Sequence, residues 1–369
     1  MSRLSWVRVA LICFPVFFAQ QCMRQALGQT PAGADEKKLM PRTPEQAEDA
    51  RKAERHISLD VVVTDAAGKP VSGLQQQDFT ILDDNRAQKM ASFEAVQGAA
   101  AEPPVEVIVL IDLVNTSFQR VAFERQEIDK FLRQNNGQLA YPTTLIVFSD
   151  TGTQIQPQPS RDGSAMADLL SSTNSSLRII GRSAGFYGAQ ERLQASYKAM
   201  GQLISYEGTK PGRKLLLWIS PGWPMLSGPN VQFSARQQQS FFDWIAQFSN
   251  SLRTSRITLY AVNPLGADAN MARMFYYESY LKGVRNVGQA GPGNLALQVL
   301  ATQSGGRVLN ASNDLTGEIN SCVADAGASY VMSFDAAPAD RANEYHALTV
   351  KVDKPGLKAR TNTAYYGQP

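Results

Sequence analysis

The chain has 369 residues, of which 43% are apolar and 19% charged, with a formal net charge of +3. That length builds one large or two modest domains with complete cores, and the composition is that of an ordinary globular protein. Lys and Arg are scattered along the chain, which excludes the concentrated basic face that nucleic-acid binding requires.

Residues 1–28 read as an export signal. Arg3 and Arg8 supply a basic start, Ala10 to Ala19 a short apolar core, and Ala26-Leu27-Gly28 the small residues for cleavage before Gln29. The apolar run is short for a bilayer and Pro15 interrupts it, so no stable membrane span is expected after signal removal. A retained single-pass anchor is the alternative. Cys13 and Cys22 leave with the signal. Cys322 then stands alone, without an intrachain disulfide, at helical spacing that places it in the core.

Residues 29–54 carry few large apolar side chains and read as a flexible, solvated linker. Short strands follow at Ile57–Val63, Asp78–Leu82 and Lys89–Glu94, separated by the turn sequences Asp65-Ala-Ala-Gly-Lys-Pro70 and Asp83-Asp-Asn-Arg86. Three strands make a marginal core. The C-terminal segments Ser329–Phe334, His346–Val352 and Leu357–Tyr366 are apolar and β-prone. The expectation is one antiparallel β module over residues 56–98, completed by 328–367.

Between these ends, over 104–326, strands alternate with helices. Strands are predicted at Val105–Asp112, Thr143–Phe148, Lys214–Ser220, Arg256–Val262 and Gly306–Leu309, with Thr151–Gln156 folding back as an antiparallel edge. Helices are predicted at Phe118–Arg133, 161–173, 187–206, Phe233–Leu252, Asn294–Gln303 and Asp314–Ala326. Such alternation means a mostly parallel α/β sheet with helices on both faces. Ligands bind such sheets at the carboxyl ends of the strands. Those ends carry Asp112, Asn115 and Thr116, then Ser149-Asp150-Thr151, Ser220-Pro221-Gly222 and Asn263, so Asp112, Asn115, Thr116, Asp150 and Ser220 are the candidate ligand-binding residues. Trp223, just past Ser220, is either an exposed anchor for a partner or a core residue. Met271–Tyr280 is rich in Met and aromatics, as an adaptable interface or a folded-down loop would be.

The segments VVVTDAAGKPVSGLQQQDFTILDDNRAQKMASFE, VIVLIDLVNTSF, PGRKLLLWISPGWP, RITLYAVNPLG, LATQSGGRVLNASNDL and ASYVMSF, with the closing KPGLKARTNTAYY, occur in this order over residues 56–367. In that order and spacing they resemble the von Willebrand factor A-related domain family of acidobacterial genomes. The resemblance implies a von Willebrand factor A-like, Rossmann-like sheet carrying the smaller β module. It also implies a metal-dependent adhesion site with a first loop of the form Asp-x-Ser-x-Ser. On that pattern Asp112 and Thr116 are candidate metal ligands, Val114 stands in place of the first Ser, and Pro221 stands where a later Asp belongs. Ser183 is a candidate for the middle-loop Thr. Mg²⁺ wants six oxygens in tight geometry, so this set reads as a degenerate site and no cofactor is expected, with Mg²⁺ held through Asn115 or Asp150 as the alternative.

An enzyme needs a nucleophile, a base or a metal. The two histidines, His56 and His346, lie in the predicted β module, and no hydrolase elbow, phosphate loop or zinc spacing occurs. The expectation is a non-enzymatic, exported, adhesion-type module, secreted or held in the periplasm or cell envelope. Its partner would be an extracellular or envelope protein. A structural protein acting by self-association is the alternative, with a hydrolase behind it.

Overall fold

The computed structural model describes residues 48, 52–97, 101–172, 185–226, 232–264, 275–310 and 312–369. The predicted signal, most of the linker, Ser183 and residues 271–274 of the Met-rich segment lie outside the described residues.

A seven-stranded sheet forms the centre. It comprises β5 (Glu106–Asp112), β6 (Gln138–Ser149), β7 (Gly152–Ile155), β8 (Ser160–Asp162), β9 (Lys214–Ile219), β10 (Ile257–Val262) and β11 (Val308–Leu309). The order is β11-β10-β9-β5-β6-β7, with β8 also pairing β6. The pairs β10–β11, β9–β10, β5–β9 and β5–β6 are parallel, whereas β7 and β8 run antiparallel to β6. Strand order therefore reverses at β5: the chain continues into β6 on one side and returns to β9 on the other.

Every residue of β5, β9 and β10 is buried, as expected of strands covered on both faces. Helices α1 (Phe118–Leu132), α2 (Gly163–Ser172) and α6 (Leu315–Val323) cover one face. Val107, Val109 and Ile111 pack there on Ile128, Leu132, Met166 and Ile319. On the other face lie α3 (Phe186–Glu207), α4 (Ala235–Thr254) and α5 (Leu297–Gln303). Ile108 and Leu110 meet Leu193, Leu203, Ile245 and Leu300 there. Each such fully buried aliphatic side chain contributes roughly 1.5–3 kcal/mol. The helices begin where the sequence caps them: Ser234 accepts a hydrogen bond from Gln237 N in a capping box, and Asp314 accepts one from Gly317 N.

Strands from the two ends of the described chain make two four-stranded antiparallel sheets. The first, β14-β1-β12-β4, joins β1 (His56–Thr64), β4 (Ser92–Gln97), β12 (Ala328–Asp335) and β14 (Lys358–Arg360). The second, β15-β13-β2-β3, joins β2 (Phe79–Asp83), β3 (Arg86–Ala87), β13 (Glu344–Val352) and β15 (Ala364–Gly367). Leu59, Val61 and Phe334 of one sheet share a core with Ile81, Leu348 and Tyr365 of the other, as in a sandwich.

Several boundaries differ from the sequence reading. The third strand lies at 92–97 rather than 89–94, because residues 86–87 pair first with β2. Residues 357–366 do not form one strand: β14 pairs with β1 and β15 with β13, so the segment crosses from one sheet to the other through Thr361–Thr363. The strand expected at 143 starts at 138, since its first residues pair with β8.

The sandwich is tied to the parallel-sheet unit by polar contacts. Asp60 of β1 accepts two hydrogen bonds from Arg256, at 3.1 and 2.6 Å. Asn250 of α4 donates to Tyr366 O and accepts from Tyr366 N. Arg360 of β14 reaches Asp325 Oδ2 at 2.7 Å and Gly305 O at 3.1 Å.

Candidate functional site

The β5–β9 register sets Ile111 beside Ile219, so Asp112 and Ser220 emerge side by side at the carboxyl edge, where strand order reverses. Side chains alternate along a strand. Asp112 therefore shares the α3–α4 face with Leu110, and Trp218 shares that face on β9. Asp112 is fully buried.

Four N–H groups hold its carboxylate. Oδ1 accepts from Val114 N and Asn115 N, both at 2.9 Å. Oδ2 accepts from Asn115 Nδ2 at 2.8 Å and from the Trp218 indole Nε1 at 2.9 Å. Asn115 Nδ2 also reaches Ser196 Oγ of α3 at 3.0 Å. Burial raises the Asp112 pKa, while hydrogen bonds from Asn115, Trp218 and Ser220 oppose the rise.

Strand alternation would have turned Asn115 away from Asp112. Residues 113–115 form a turn instead, which folds the Asn115 side chain back onto the carboxylate. Thr116 is buried, and its hydroxyl has no hydrogen-bond partner. Ser220 is buried, and its Oγ accepts from Gly222 N at 3.2 Å. Gly222 has φ +108°, and a Cβ there would meet Gln298 Nε2 at 2.4 Å. Only glycine suits this turn. Asp150 sits in the β6–β7 turn, partly exposed, and is not among the partners of Asp112.

Trp223 is not presented to solvent. It is 4% exposed, with its ring 5.2 Å from Trp218 and 5.6 Å from Tyr197. The exposed large aromatics among the described residues are Phe186, Tyr187 and Phe275, at 49, 74 and 53%. The last turn of α3 lies near the amino ends of the strands, where Lys210 bridges Glu207 and Glu106. The opposite end of α3, with Phe186 and Tyr187, therefore rises past Asp112. Phe186 stands ten residues before Ser196, roughly 15 Å along the helix. Phe275 precedes Tyr276, whose hydroxyl donates to Gln298 Oε1 at 3.2 Å. Gln298 in turn donates to Pro221 O at 3.4 Å, which places Phe275 by the same edge.

A residue the sequence reading missed lies beneath this edge. Glu124 of α1 is fully buried, and neither carboxylate oxygen has a partner. Burial pushes its pKa well above the usual range, the charge of Asp112 adds to the rise, and Thr116 opposes it. Periodicity carried the clue: Glu124 falls at spacings of three and four on the same helix face as Val121, Ile128 and Phe131, although a glutamate normally faces water.

The folded chain holds this proton to higher pH than the unfolded chain. Glu124 thus lowers stability progressively from about pH 4.3 upward, until its folded pKa is passed. Glu124→Gln keeps the shape and removes the titration. Urea midpoints for the two proteins should coincide near pH 4 and diverge in favour of Gln as pH rises. A constant difference across the range would show that Glu124 ionises in the folded protein as freely as in water.

The Mg²⁺ implied by the resemblance does not fit the donors on Asp112. A carboxylate offers about four acceptor positions, and all four face N–H groups here. Val114 and Pro221 supply no side-chain oxygen. Metal-ligating atoms do converge elsewhere. Asp83, Asp84 and His346 place theirs within 4.8 Å of one another, on the β2–β3 hairpin and β13 of the sandwich, and this group could hold a metal ion. His346 Nδ1 lies 3.1 Å from Asp83 Oδ1 and 3.8 Å from Asp84 Oδ2, and Tyr365 donates to Asp83 Oδ2 at 2.8 Å. The hydrogen bond to Asp83 raises the His346 pKa, against the effect of burial.

Cys322 is a free, fully buried thiol, and burial pushes its pKa up to about 12. It is a core residue and not a nucleophile. Both histidines sit on sandwich strands, β1 and β13. No helix among the described residues is long and apolar enough to cross a membrane.

No family model matches the chain, and no curated protein matches it. Among solved structures, the manganese-loaded TRAP protein of Plasmodium vivax is similar over 76% of this chain and 100% of that chain, at 9% identity and a TM-score of 0.31. That degree of likeness assigns neither a fold nor a function.

Proposed function

We propose that this chain is an exported, non-enzymatic protein-binding module of von Willebrand factor A-like architecture, and that it engages its partner with the carboxyl edge of the parallel sheet. The observation that carries this reading is the pair Phe186 and Tyr187, exposed at the start of α3, roughly 15 Å along the helix from the Ser196 that meets Asn115 at the strand-order reversal. Exposed aromatics on a rigid support are the groups that dominate protein interfaces. Loops and helix ends at this edge of an α/β sheet are the usual place for ligands. The absence of a histidine from the parallel-sheet unit supports binding over acyl-transfer chemistry.

The test is capture from the secreted and envelope fractions of the native cell, with the full chain immobilised. Replacing both Phe186 and Tyr187 by Ala should weaken capture by about tenfold or more, the effect of losing interface anchors. The unfolding midpoint should hold, because both side chains are exposed. Capture equal to the parent's would remove this surface from consideration.

A further inference from the structure

We propose that the carboxyl edge of the parallel sheet works without a divalent cation, and that Asp112 serves there as a hydrogen-bonded clamp closed by the Trp218 indole. The proposal rests on the donor set and stands whether or not the binding reading holds. If that reading holds, partner contact at this edge proceeds without a bridging metal.

Each oxygen of Asp112 accepts two N–H groups, at 2.8 to 2.9 Å. A cation on either oxygen would have to displace a donor. The two loop amides are part of the turn and cannot leave without unfolding it. The indole cannot rotate away either. Trp218 is fully buried, 5.9 Å from the Phe148 ring and 5.2 Å from that of Trp223. Its N–H is a donor with no second role, so displacement would strand it in the core. The remaining donor, Asn115 Nδ2, is shared with Ser196.

Mg²⁺ gives up water only for a near-ideal set of oxygens. The β5–α1 and β9 loops place Val114 and Pro221 at two positions of such a set; the oxygens of Asn115, Thr116 and Glu124 are unpartnered, but Asp112, the one carboxylate at the strand end, has no free position to offer beside them. What the arrangement does instead is mechanical. One carboxylate fixes the 113–115 turn, joins it to β9 through Trp218, and joins it to α3 through Asn115 and Ser196. The turn is thereby held rigid at the strand-order reversal.

The full chain is titrated with Mn²⁺ and followed by electron paramagnetic resonance, and its melting is compared in EDTA and in Mg²⁺. The expected result is an unchanged Tm, and no bound Mn²⁺ that disappears on Asp112→Asn. Saturable Mn²⁺ binding that is lost in Asp112→Asn and kept in His346→Asn would overturn the proposal, as would a Tm several degrees higher in Mg²⁺ that persists in His346→Asn. Binding lost in His346→Asn and kept in Asp112→Asn assigns the ion to the Asp83–Asp84–His346 group and supports the proposal. Since Asp112→Asn can fail to fold, Trp218→Phe is the second variant. It keeps an aromatic ring, loses the pyrrole half of the indole with its N–H, and its Tm should fall by several degrees with or without Mg²⁺. A Trp218→Phe protein that melts with the parent would overturn the clamp.

Discussion

Asp325→Ala should lower unfolding stability by about 3–5 kcal/mol, the cost of removing one partner from a buried ion pair. Asp325 is fully buried in the 3₁₀ turn after α6. Its Oδ2 accepts from Tyr260 Oη and from Arg360 Nη2, both at 2.7 Å, and Arg307 Nε lies 3.6 Å away. Its backbone carbonyl accepts from Arg213 at 3.0 Å. The alanine would leave two half-buried guanidinium groups without their counter-charge, and a buried tyrosine hydroxyl without its acceptor. Because Arg360 belongs to the sandwich and Tyr260 to the parallel sheet, the damage should reach the junction between them. Urea midpoints at constant slope measure the effect. A double-mutant cycle with Arg360→Ala should show strong coupling, because the second change removes a charge that the first has stranded. A midpoint within experimental error of the parent's would mean that this junction is held by apolar contact alone.

Trp218→Ala should be comparably damaging. Truncating a buried tryptophan leaves a cavity worth about 3–5 kcal/mol, and the hydrogen bond to Asp112 adds roughly 1.5–3 kcal/mol, as bonds to charged groups do. The ring fills the middle of the α3–α4 face and is fully buried. Trp218→Phe removes the N–H together with only the pyrrole half of the ring, so it should cost roughly 1.5–3 kcal/mol for the lost bond plus a cavity contribution smaller than that of the alanine. Urea denaturation of both variants separates packing from hydrogen bonding. If Trp218→Phe proved as harmful as Trp218→Ala, the carboxylate contact would dominate. If it proved harmless, the indole N–H would carry no weight.

Much of the architecture was legible in the residues. The runs VIVLID and KLLLWI are apolar at every position but one end, and ITLYAV at every position but Thr258, and only a strand covered on both faces has that use for them. Helix periodicity marked α1, α3 and α4 to within two residues of their observed starts and ends. Short edge elements were harder. The two-residue β3 and the three-residue β8 carry no periodicity, since two or three positions cannot display an alternation. The division of 357–366 between two sheets was also invisible, because β-prone sequence does not say which partner it pairs with.

At the candidate site the residues themselves put Asp112 and Ser220 on one edge, since both end parallel strands. Three things were decided only by the folded chain. Trp223, which could have been an anchor, is buried, because the turn at Gly222 folds its ring onto Trp218 and Tyr197. Asn115 bonds to Asp112 because the strand stops at residue 112 and the backbone turns. Glu124 is buried beneath the same edge, where its spacing from Ile128 and Phe131 marks the covered face but not that its carboxylate goes without a partner there.

The sequence by itself determined the strand and helix alternation and which strand ends carry polar groups, for both are local consequences of side-chain period. The tertiary structure alone decided how the polar groups are spent. Whether a carboxylate meets a cation, four N–H donors or no partner at all depends on how the backbone turns after the strand, on the indole brought in from β9, and on the water that packing excludes. Those are distances through space, which no spacing along the chain encodes.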